Sequence, residues 1–446
     1  MTTMNRRGAR PRALAFALLG VLLLASQLAS RRAEAVVLSE DELKGRSVAL
    51  TFVLRSFSFI FAGRALQPPQ NLVDANPSGA GIFDLRHNLT WRQGALKVVA
   101  AGQLTTSVFF SGPQGGLGLG RGAAPVRWLP LTIETDNSGA YRLRYQADRL
   151  YIAYTLGPVT VTLGRQPITF GRGQLWKPSD IISTFALTEV DTEFKPGSDA
   201  ARIDWNIASR TSLTLIAAPA ELAADHDAEV SLYASSFMAR FKQGFDGGEI
   251  GVSGGLLRGD TVLVLDGIID LGKLDLYGEL VANIFSSKSL SPNADDPAQA
   301  ALGDVALRAV LGARIKPIPK LTLTPEVFYN GLGSFERSDY LAIARSQRFS
   351  IGEIYNVGRV YAGLVALWEV HPLLTLSAVG MANVHDPSGL LSLGAVYSVS
   401  NNVTAIAGAY IPMGRLLDTR DAASPLPRSE FGLYPYFFFF ELKAAI

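Results

Sequence analysis

One stretch of the chain, residues 165–202, concentrates charged side chains of both signs. Its basic side chains are Arg165, Arg172, Lys177, Lys195 and Arg202, and its acidic ones are Asp180, Glu189, Asp191, Glu193 and Asp199. Opposed charges at this density orient ions and polar molecules and create a field across any space that they enclose. The connection 167–199 is also far longer than ordinary loops, and such loops tend to be functional. It is therefore our main candidate site.

Groups that could support catalysis are few and poorly placed. The chain has no cysteine, which excludes a thiolate metal site and a cysteine nucleophile. Residues 251–255 match G-x-S-x-G, but a nucleophile elbow needs a strand, a turn and a helix, and this match lies within a predicted strand. The four histidines have no partner at metal-ligand spacing. We therefore expect no enzyme activity, no cofactor and no metal.

Composition separates the chain from ordinary soluble proteins. A length of 446 residues would suggest about three soluble domains, but the 43 Gly and 23 Pro are spread along the whole sequence rather than collected in linkers. The formal net charge of +2 is too small for a nucleic-acid-binding protein, which would show a dense basic patch.

The first 35 residues have the pattern of a secretory signal peptide. Four arginines precede an apolar run over 13–29, and Ala33-Glu34-Ala35 matches the A-x-A cleavage pattern. Cleavage would remove six Arg and one Glu, which leaves 35 basic and 38 acidic groups. We expect an exported protein of a Gram-negative cell.

The rest of the chain alternates between apolar and polar residues with a period of two. Leu85 and Leu89 alternate with Arg86 and Asn88, and the same pattern recurs over 305–316. Successive side chains of a strand point to opposite faces, so each segment has one apolar and one polar face. No later stretch reaches 18 apolar residues, so the pattern predicts no membrane-spanning helix.

Short turns alternate with long loops, which is typical of a transmembrane β-barrel. The predicted class is all-β: an antiparallel barrel over 47–446, with both termini in the periplasm and 36–46 as a periplasmic segment before it. We predict eighteen strands, or sixteen if the hairpin at Arg258-Gly259-Asp260 does not form. The predicted strands are 47–61, 82–93, 96–110, 139–156, 159–166, 200–207, 211–217, 230–242, 248–258, 261–270, 274–284, 305–315, 320–330, 359–370, 374–384, 390–399, 403–411 and 431–442.

The alternation changes phase within 139–156. Tyr141, Leu143 and Tyr145 share one parity, whereas the apolar residues from Leu150 onward have the other. One extra residue near 147–149, a β-bulge, would restore the register.

The C-terminal segment is the first that resembles a known family. An alternating apolar row, rich in aromatic residues, runs through Tyr434, Tyr436, Phe438, Phe440, Leu442, Ala444 and Ile446. It resembles the C-terminal signal of bacterial outer-membrane proteins, although that signal usually ends in Phe or another aromatic residue and this chain ends in Ile446. The resemblance implies a location in the outer membrane, with contacts to its lipid and lipopolysaccharide and to its assembly machinery.

A second resemblance covers about a tenth of the chain. The stretch from Gly164 to Gly173, the segments 176–180 and 189–193, and 195–202 look like a recurrent strand–loop–strand unit of large porin-like barrels, including the alginate-export type. It implies a channel. We expect the charged loop to fold inward and narrow the lumen, with an outward, solvated loop as the alternative.

Strand parity assigns charged side chains to the lumen, because arginine or lysine facing lipid would cost about 2–4 kcal/mol each at the midplane. The assignment gives ten basic and six acidic side chains: Arg86, Arg92, Lys97, Arg142, Arg144, Arg202, Arg240, Lys242, Arg308 and Arg314, against Asp84, Asp148, Asp204, Asp275, Glu279 and Glu326. The excess predicts a weakly anion-preferring channel for passive passage of small hydrophilic solutes. Two alternatives stay open: a dedicated channel for an anionic polysaccharide, and a structural or adhesion barrel.

Overall fold

A computed structural model describes most of the chain after the predicted signal peptide. The described residues are 36–41, 45–62, 78–109, 126–137, 141–183, 194–221, 230–286, 304–418 and 426–445. The predicted signal peptide and His226 lie outside them, as do the glycine-rich stretch 115–122 and the pair Asp295-Asp296, which the sequence predicts to lie in an external loop and a solvated loop. The signal peptide therefore stays a prediction.

Eighteen antiparallel strands form one closed barrel, as the turn and loop pattern predicted. Each strand pairs with its neighbours along the chain, and the last strand pairs with the first over Ala62↔Tyr436 to Val53↔Ala445. The strands are β1 (Arg46–Ala62), β2 (Ser78–Gln93), β3 (Leu96–Phe109), β4 (Tyr141–Leu156), β5 (Val159–Gln166), β6 (Ser198–Ala208), β7 (Thr211–Ala218), β8 (Ser236–Phe245), β9 (Gly248–Leu257), β10 (Asp260–Asp270), β11 (Leu274–Ile284), β12 (Val305–Ile318), β13 (Leu321–Asn330), β14 (Val360–His371), β15 (Leu374–Asn383), β16 (Ser388–Ser398), β17 (Val403–Met413) and β18 (Tyr436–Ala445).

The hairpin between β9 and β10 decides between sixteen and eighteen strands. Leu257 pairs with Asp260, so the turn consists of Arg258 and Gly259 alone, both with positive φ (49° and 89°). A positive φ at arginine is strained, because its Cβ crowds the backbone. The Arg258 guanidinium compensates by donating to the carbonyl of Ile181 at 3.1 Å and by pairing with Glu353 at 3.5 Å.

The two faces of the barrel wall have opposite chemistry, as the alternation predicted. Large apolar side chains such as Leu311 and Val327 are exposed on the outer face, while Arg308 and Glu326 on neighbouring positions are buried inside. The outer face thus suits lipid. None of the helices in the described part of the chain is long and apolar enough to cross a membrane.

The predicted β-bulge in β4 is present. Ala101 of β3 pairs with Arg149 and Gly102 pairs with Ala147, so Asp148 is the extra residue. The bulge turns Asp148 into the barrel, where its carboxylate accepts a hydrogen bond from Arg86.

Two strand boundaries differ from the prediction because serine side chains form local turns there. Residues 231–234 form a turn, in which the backbone N–H of Ser235 and its hydroxyl both donate to the carbonyl of Ser231, so β8 begins at Ser236 and not at 230. Residues 431–433 form a 3-10 turn beside Ser429, so β18 begins at Tyr436. Tyr434 is consequently buried against Phe431 instead of extending the outward row.

Two short strands complete the wall where barrel strands stop. Residues Val36–Asp41 pair with β1 from Leu50 to Arg46, directly beyond the stretch that pairs with β18. Residues Thr132–Asn137 pair with β4 beyond the reach of β5. The second strand fills the part of the wall that β5 leaves free.

The connection between β13 and β14 packs over the mouth of the barrel at the end with the long loops. It carries helices α1 (Tyr340–Arg345) and α2 (Gln347–Ser350). Arg348 of α2 bridges Asp260 at 2.6 Å and Glu353 at 2.9 Å. Burial alone would raise the pKa of Glu353, but the charges of Arg348, Arg258 and Arg308 hold it below its ordinary value. This ion network locks the connection onto the wall.

A closed sheet of this kind should resist detergent. The folded protein should migrate faster than the boiled protein on a denaturing gel, because every strand is paired and no edge is free to open. Gel migration before and after boiling is the measurement. Identical positions of the two bands would contradict the barrel.

Candidate functional site

The chain leaves the wall after β5 and runs through the inside of the barrel over residues 167–183, here called the inner segment. Ile168, Ile181 and Ile182 of the inner segment are buried against inward apolar side chains of β6–β11, among them Val262 and Val281. The segment then reaches side chains of β11, β13 and β14 on the far wall. The sequence-based prediction of an inward loop therefore agrees with the position of the inner segment.

The Glu279 carboxylate of β11 holds both ends of one loop of the inner segment. Its Oε1 accepts the backbone N–H of Arg172 and, at 2.8 Å, that of Gly173. Its Oε2 accepts the N–H of Ser179 at 3.0 Å and the Ser179 hydroxyl at 2.6 Å. Hydrogen bonds to a charged acceptor are about twice as strong as neutral ones, so one carboxylate fixes residues 172–179.

The Glu326 carboxylate of β13 holds the next residues in the same way. It accepts the backbone N–H groups of Gln174, Leu175 (2.9 Å) and Trp176 (3.1 Å), as well as the hydroxyl of Tyr277. Both glutamates are almost completely buried, at 3% and 2% exposure. They face the barrel interior but lie beneath the inner segment.

Trp176 anchors the inner segment to the far wall. It is fully buried, stacks on Phe328 at 5.5 Å, contacts the ring of Tyr361 and donates its indole N–H to Asn356 at 3.0 Å. Gly363 of β14 makes room for it, since a Cβ there would lie 2.8 Å from the indole ring. Any larger residue at 363 would displace the anchor.

Arg172 links the inner segment to a row of charges on β8–β10. Its Nε donates to Asp266 at 2.8 Å and its Nη2 to Glu249. Asp266 also pairs with Arg240, and Glu249 pairs with Lys242 at 2.8 Å. Burial lowers the pKa of Arg172, but the hydrogen bonds that it donates to the two carboxylates and their negative charges raise the pKa by more, so the guanidinium stays charged.

A buried ion pair joins the inner segment to its return limb, residues 194–197. The Lys195 ammonium contacts both carboxylate oxygens of Asp180, whose Oδ1 also accepts the backbone N–H of Phe170 at 3.2 Å. Burial raises the pKa of Asp180 and lowers that of Lys195, and each charge opposes the effect on the other. The pair fixes the point where the chain returns to the wall.

The predicted set of constriction residues is only partly brought together. Arg165 lies in β5 and pairs with Asp199 through two hydrogen bonds of 2.8 Å, at 1% exposure. Arg202 pairs with Asp204 on β6 at 2.8 Å. Lys177 has no ion pair among the described residues. Glu189, Asp191 and Glu193 lie outside the described residues. The role of the set in narrowing a pore stays a prediction.

The predicted pore-lining residues face the interior, mostly as members of ion pairs or polar contacts. Arg86 contacts Asp148, Arg240 contacts Asp266, Arg308 donates to Asn283, Arg314 contacts Asp275, and Arg142 and Arg144 contact Glu134. Arg92 lines a cavity of about 210 Å³ together with Ser47, Ala49, Thr51, Asn88 and Thr90 of β1 and β2. Lys97 lies near the ring of Tyr151.

The inner segment lies against the wall from β6 to β14. We call β18 and β1–β4, which it does not contact among the described residues, the uncovered wall, although the inward rings of Phe57, Phe61 and Phe437 are buried there in an aromatic cluster. The register places Lys443, Arg55, Asp84 and Arg144 in one cross-strand row on the interior face. Among the residues of this uncovered wall whose side chains the structure describes, the inward basic residues are Arg55, Arg86, Arg92, Lys97, Arg142, Arg144, Arg149 and Lys443, and the acidic ones are Asp84, Asp148, Glu441 and Glu134 of the adjoining short strand. Basic groups are therefore in excess here.

Several inward charges were missed by the parity analysis. Asp266 lies in the strand 260–270, in which the residues of both faces are largely apolar. The alternation of residue types therefore does not identify an inward polar face there. Glu249 begins β9 beside a turn, where parity is hard to assign. Glu441 and Lys443 lie in the C-terminal aromatic strand, where their inward parity is evident once the row from Tyr436 is recognised as outward.

Known structures share this architecture. A BenF-like porin from Pseudomonas fluorescens Pf-5 superposes with a TM-score of 0.51 at 13% sequence identity, covering 90% of this chain and 98% of that one. The chain has the fold of an outer-membrane porin. OccD3 (OpdP) of Pseudomonas aeruginosa has the same TM-score of 0.51 at 12% identity, with 93% of each chain covered. At this identity the similarity establishes the porin fold and nothing finer. No family model and no curated protein matches the sequence.

Removing one anchoring carboxylate should loosen the inner segment. In Glu326→Gln the three backbone N–H groups lose a charged acceptor, and at about 1.5–3 kcal/mol for a hydrogen bond to a charged group the docking should weaken by a few kcal/mol. We expect protease cleavage within 170–180 in the folded barrel and noisier single-channel current. Glu369→Gln removes an exposed carboxylate of β14 with the same change in charge. It should cause neither the protease cleavage nor the noisier current. Equal protection of both variants would contradict the anchor.

Deletion of Phe170 to Phe194 should enlarge the conductance, because it removes material from the lumen. Single-channel recording in a planar bilayer measures the change, and gel migration before and after boiling verifies folding. An unchanged conductance in a folded barrel would mean that the segment does not obstruct the passage.

Proposed function

We propose that the chain is an outer-membrane porin-like channel that gives passive passage to small hydrophilic solutes, with a weak preference for anions. The observation that carries this proposal is a closed barrel whose interior contains charged and hydroxyl side chains beside two buried apolar clusters, with an ordered segment along one side. Pores select in this way, by width and by charge at a constriction.

The path for solutes follows the uncovered wall. The inner segment occupies the interior beside β6–β14, while the cavity of about 210 Å³ lies along β1 and β2. Its lining consists of the side chains of Ser47, Thr51, Asn88, Thr90 and Arg92, with Ala49. Hydroxyl and amide groups suit hydrated polar solutes of low molecular weight, and the single guanidinium favours those with negative charge.

The anion preference rests on how charge is divided inside the barrel. Along β5–β14 the inward basic groups are matched by carboxylates, as in the pairs of Arg172 with Asp266 and of Arg314 with Asp275. Along the uncovered wall, basic groups outnumber acidic ones. Charges act over about 8 Å at physiological salt, which is comparable to the radius of a narrow pore. The excess of positive charge along the uncovered wall therefore acts on a passing ion.

The proposal also orients the barrel and names its partners. We place the end with the short turns, and both termini, on the periplasmic side, because outer-membrane barrels have short periplasmic turns. The outward row Tyr436, Phe438 and Phe440 of β18 would face lipid and lipopolysaccharide and would be recognised by the assembly machinery. The likeness to the alginate-export type stays a prediction from sequence, and no structural observation favours it.

A salt-gradient reversal potential in a planar bilayer tests the preference. The wild-type channel should be mildly anion-selective, and neutralising Arg142 and Arg144 together should reduce the selectivity, since both lie inward at 47% and 44% exposure. Glu134→Gln is the matched control: it removes the carboxylate that both arginines contact, so it should increase the selectivity.

Clear cation selectivity of the wild type would contradict the anion preference and leave the channel itself intact. A folded barrel that carries no current would contradict the channel and favour a structural or adhesion role. A panel of ions and sugars in the same bilayer would define the range of solutes.

A further inference from the structure

Phe194 holds a fixed position at the start of the return limb. It directly precedes Lys195, whose ammonium is buried and bound to both oxygens of Asp180. Gly197, two residues later, lies so close to β4 that a Cβ there would be 2.3 Å from the carbonyl of Asp148. The backbone at 194 is thus held between the inner segment and the wall.

The ring of Phe194 lies against two cations on different strands. Its centroid is 4.1 Å from the guanidinium carbon of Arg86 on β2 and 5.8 Å from the ammonium of Lys443 on β18. Cations within about 6 Å of a ring centroid are attracted by the negative face of the ring. Arg86 is itself fixed by Asp148 and by Gln103 at 2.9 Å. The ring therefore has a rigid partner on the uncovered wall.

Little space remains where the ring meets the wall. The cavity there measures about 20 Å³ and is lined by Val53, Arg55, Asp84, Arg86, Gln103, Phe194, Glu441 and Lys443. That is room for about one water molecule. The cavity on the same wall nearer the short turns is about ten times larger. The ring therefore fills most of the gap between the return limb and this part of the wall.

We propose that Phe194 sets both the width and the charge of a constriction between the return limb and the uncovered wall. The ring occupies the gap between the return limb and the wall, which limits width. It also covers Arg86 and Lys443, so it reduces the positive field that a passing ion meets. The inference rests on the proposed channel function and deepens it.

Single-channel recording and reversal potentials of two variants test the proposal. Phe194→Ala should raise conductance about twofold and shift the reversal potential towards anions, because the gap widens and both cations become exposed. Phe194→Leu keeps most of the bulk but removes the aromatic face, so it should leave conductance close to wild type and still shift the reversal potential towards anions. Gel migration before and after boiling confirms that each variant is folded.

Phe335→Ala is the matched control, because Phe335 also lies against a guanidinium, that of Arg359 at 5.4 Å, but in the connection between β13 and β14. Phe335→Ala should change neither the conductance nor the reversal potential. Wild-type conductance and selectivity in a folded Phe194→Ala barrel would overturn the inference while the channel stands. A Phe194→Ala channel with higher conductance but an unchanged reversal potential would overturn the part of the inference that concerns charge. A wild-type barrel without current would overturn the proposed function, and this inference with it.

Discussion

Backbone N–H groups of residues 172–176 and of Ser179 donate to two carboxylates of the far wall, and the interior of the barrel depends on that interaction. An irregular segment inside a barrel has backbone donors without the partners that a strand or helix would give them. Glu279 and Glu326, in turn, are buried charges that would be costly without donors. Each group supplies what the other lacks, so the segment is held without a regular secondary structure of its own.

This interaction divides the lumen into two unlike halves. A barrel of eighteen strands is wide enough to hold an aqueous channel unless its interior is filled. The inner segment packs along β6–β14, where Trp176 anchors it and Arg172 pairs with two carboxylates. The other half keeps the hydroxyl-lined cavity and the surplus of basic groups. The ordered segment and the hydroxyl-lined cavity therefore lie beside different strands of the same barrel interior.

The sequence predicts the wall far better than the interior. Strand number, the Arg258-Gly259 turn and the Asp148 bulge follow from a period of two and from its change of phase, which are local properties. The partners of Glu279 and Glu326 lie about 100 and 150 residues away in the chain. No local pattern specifies them, because they are set by how a long loop folds after the barrel has placed both walls.

Single residues of the candidate site show the same limit of prediction from local sequence. Arg165 belongs by sequence to the charged loop, yet the pairing of β5 with β6 places Asp199 directly opposite and buries both. Phe194 carries no charge and fits no motif, so composition gives no reason to select it. Its importance comes from Arg86 and Lys443, whose strands lie at the two ends of the sequence and meet only when the barrel closes.

The short strand Val36–Asp41 has a mechanical consequence for that closure. It occupies the same edge of β1 as β18, with Val36 opposite Leu50 and Ala445 opposite Val53. Only Thr51 and Phe52 separate the two pairings on β1. A register slip of β18 by one residue would turn its lipid-facing aromatic row inward, and a slip towards the short turns would run into the short strand. The short N-terminal strand therefore limits how far β18 can shift along β1 when the barrel closes. It thereby helps to fix the stagger of the strands, which sets the diameter of the barrel.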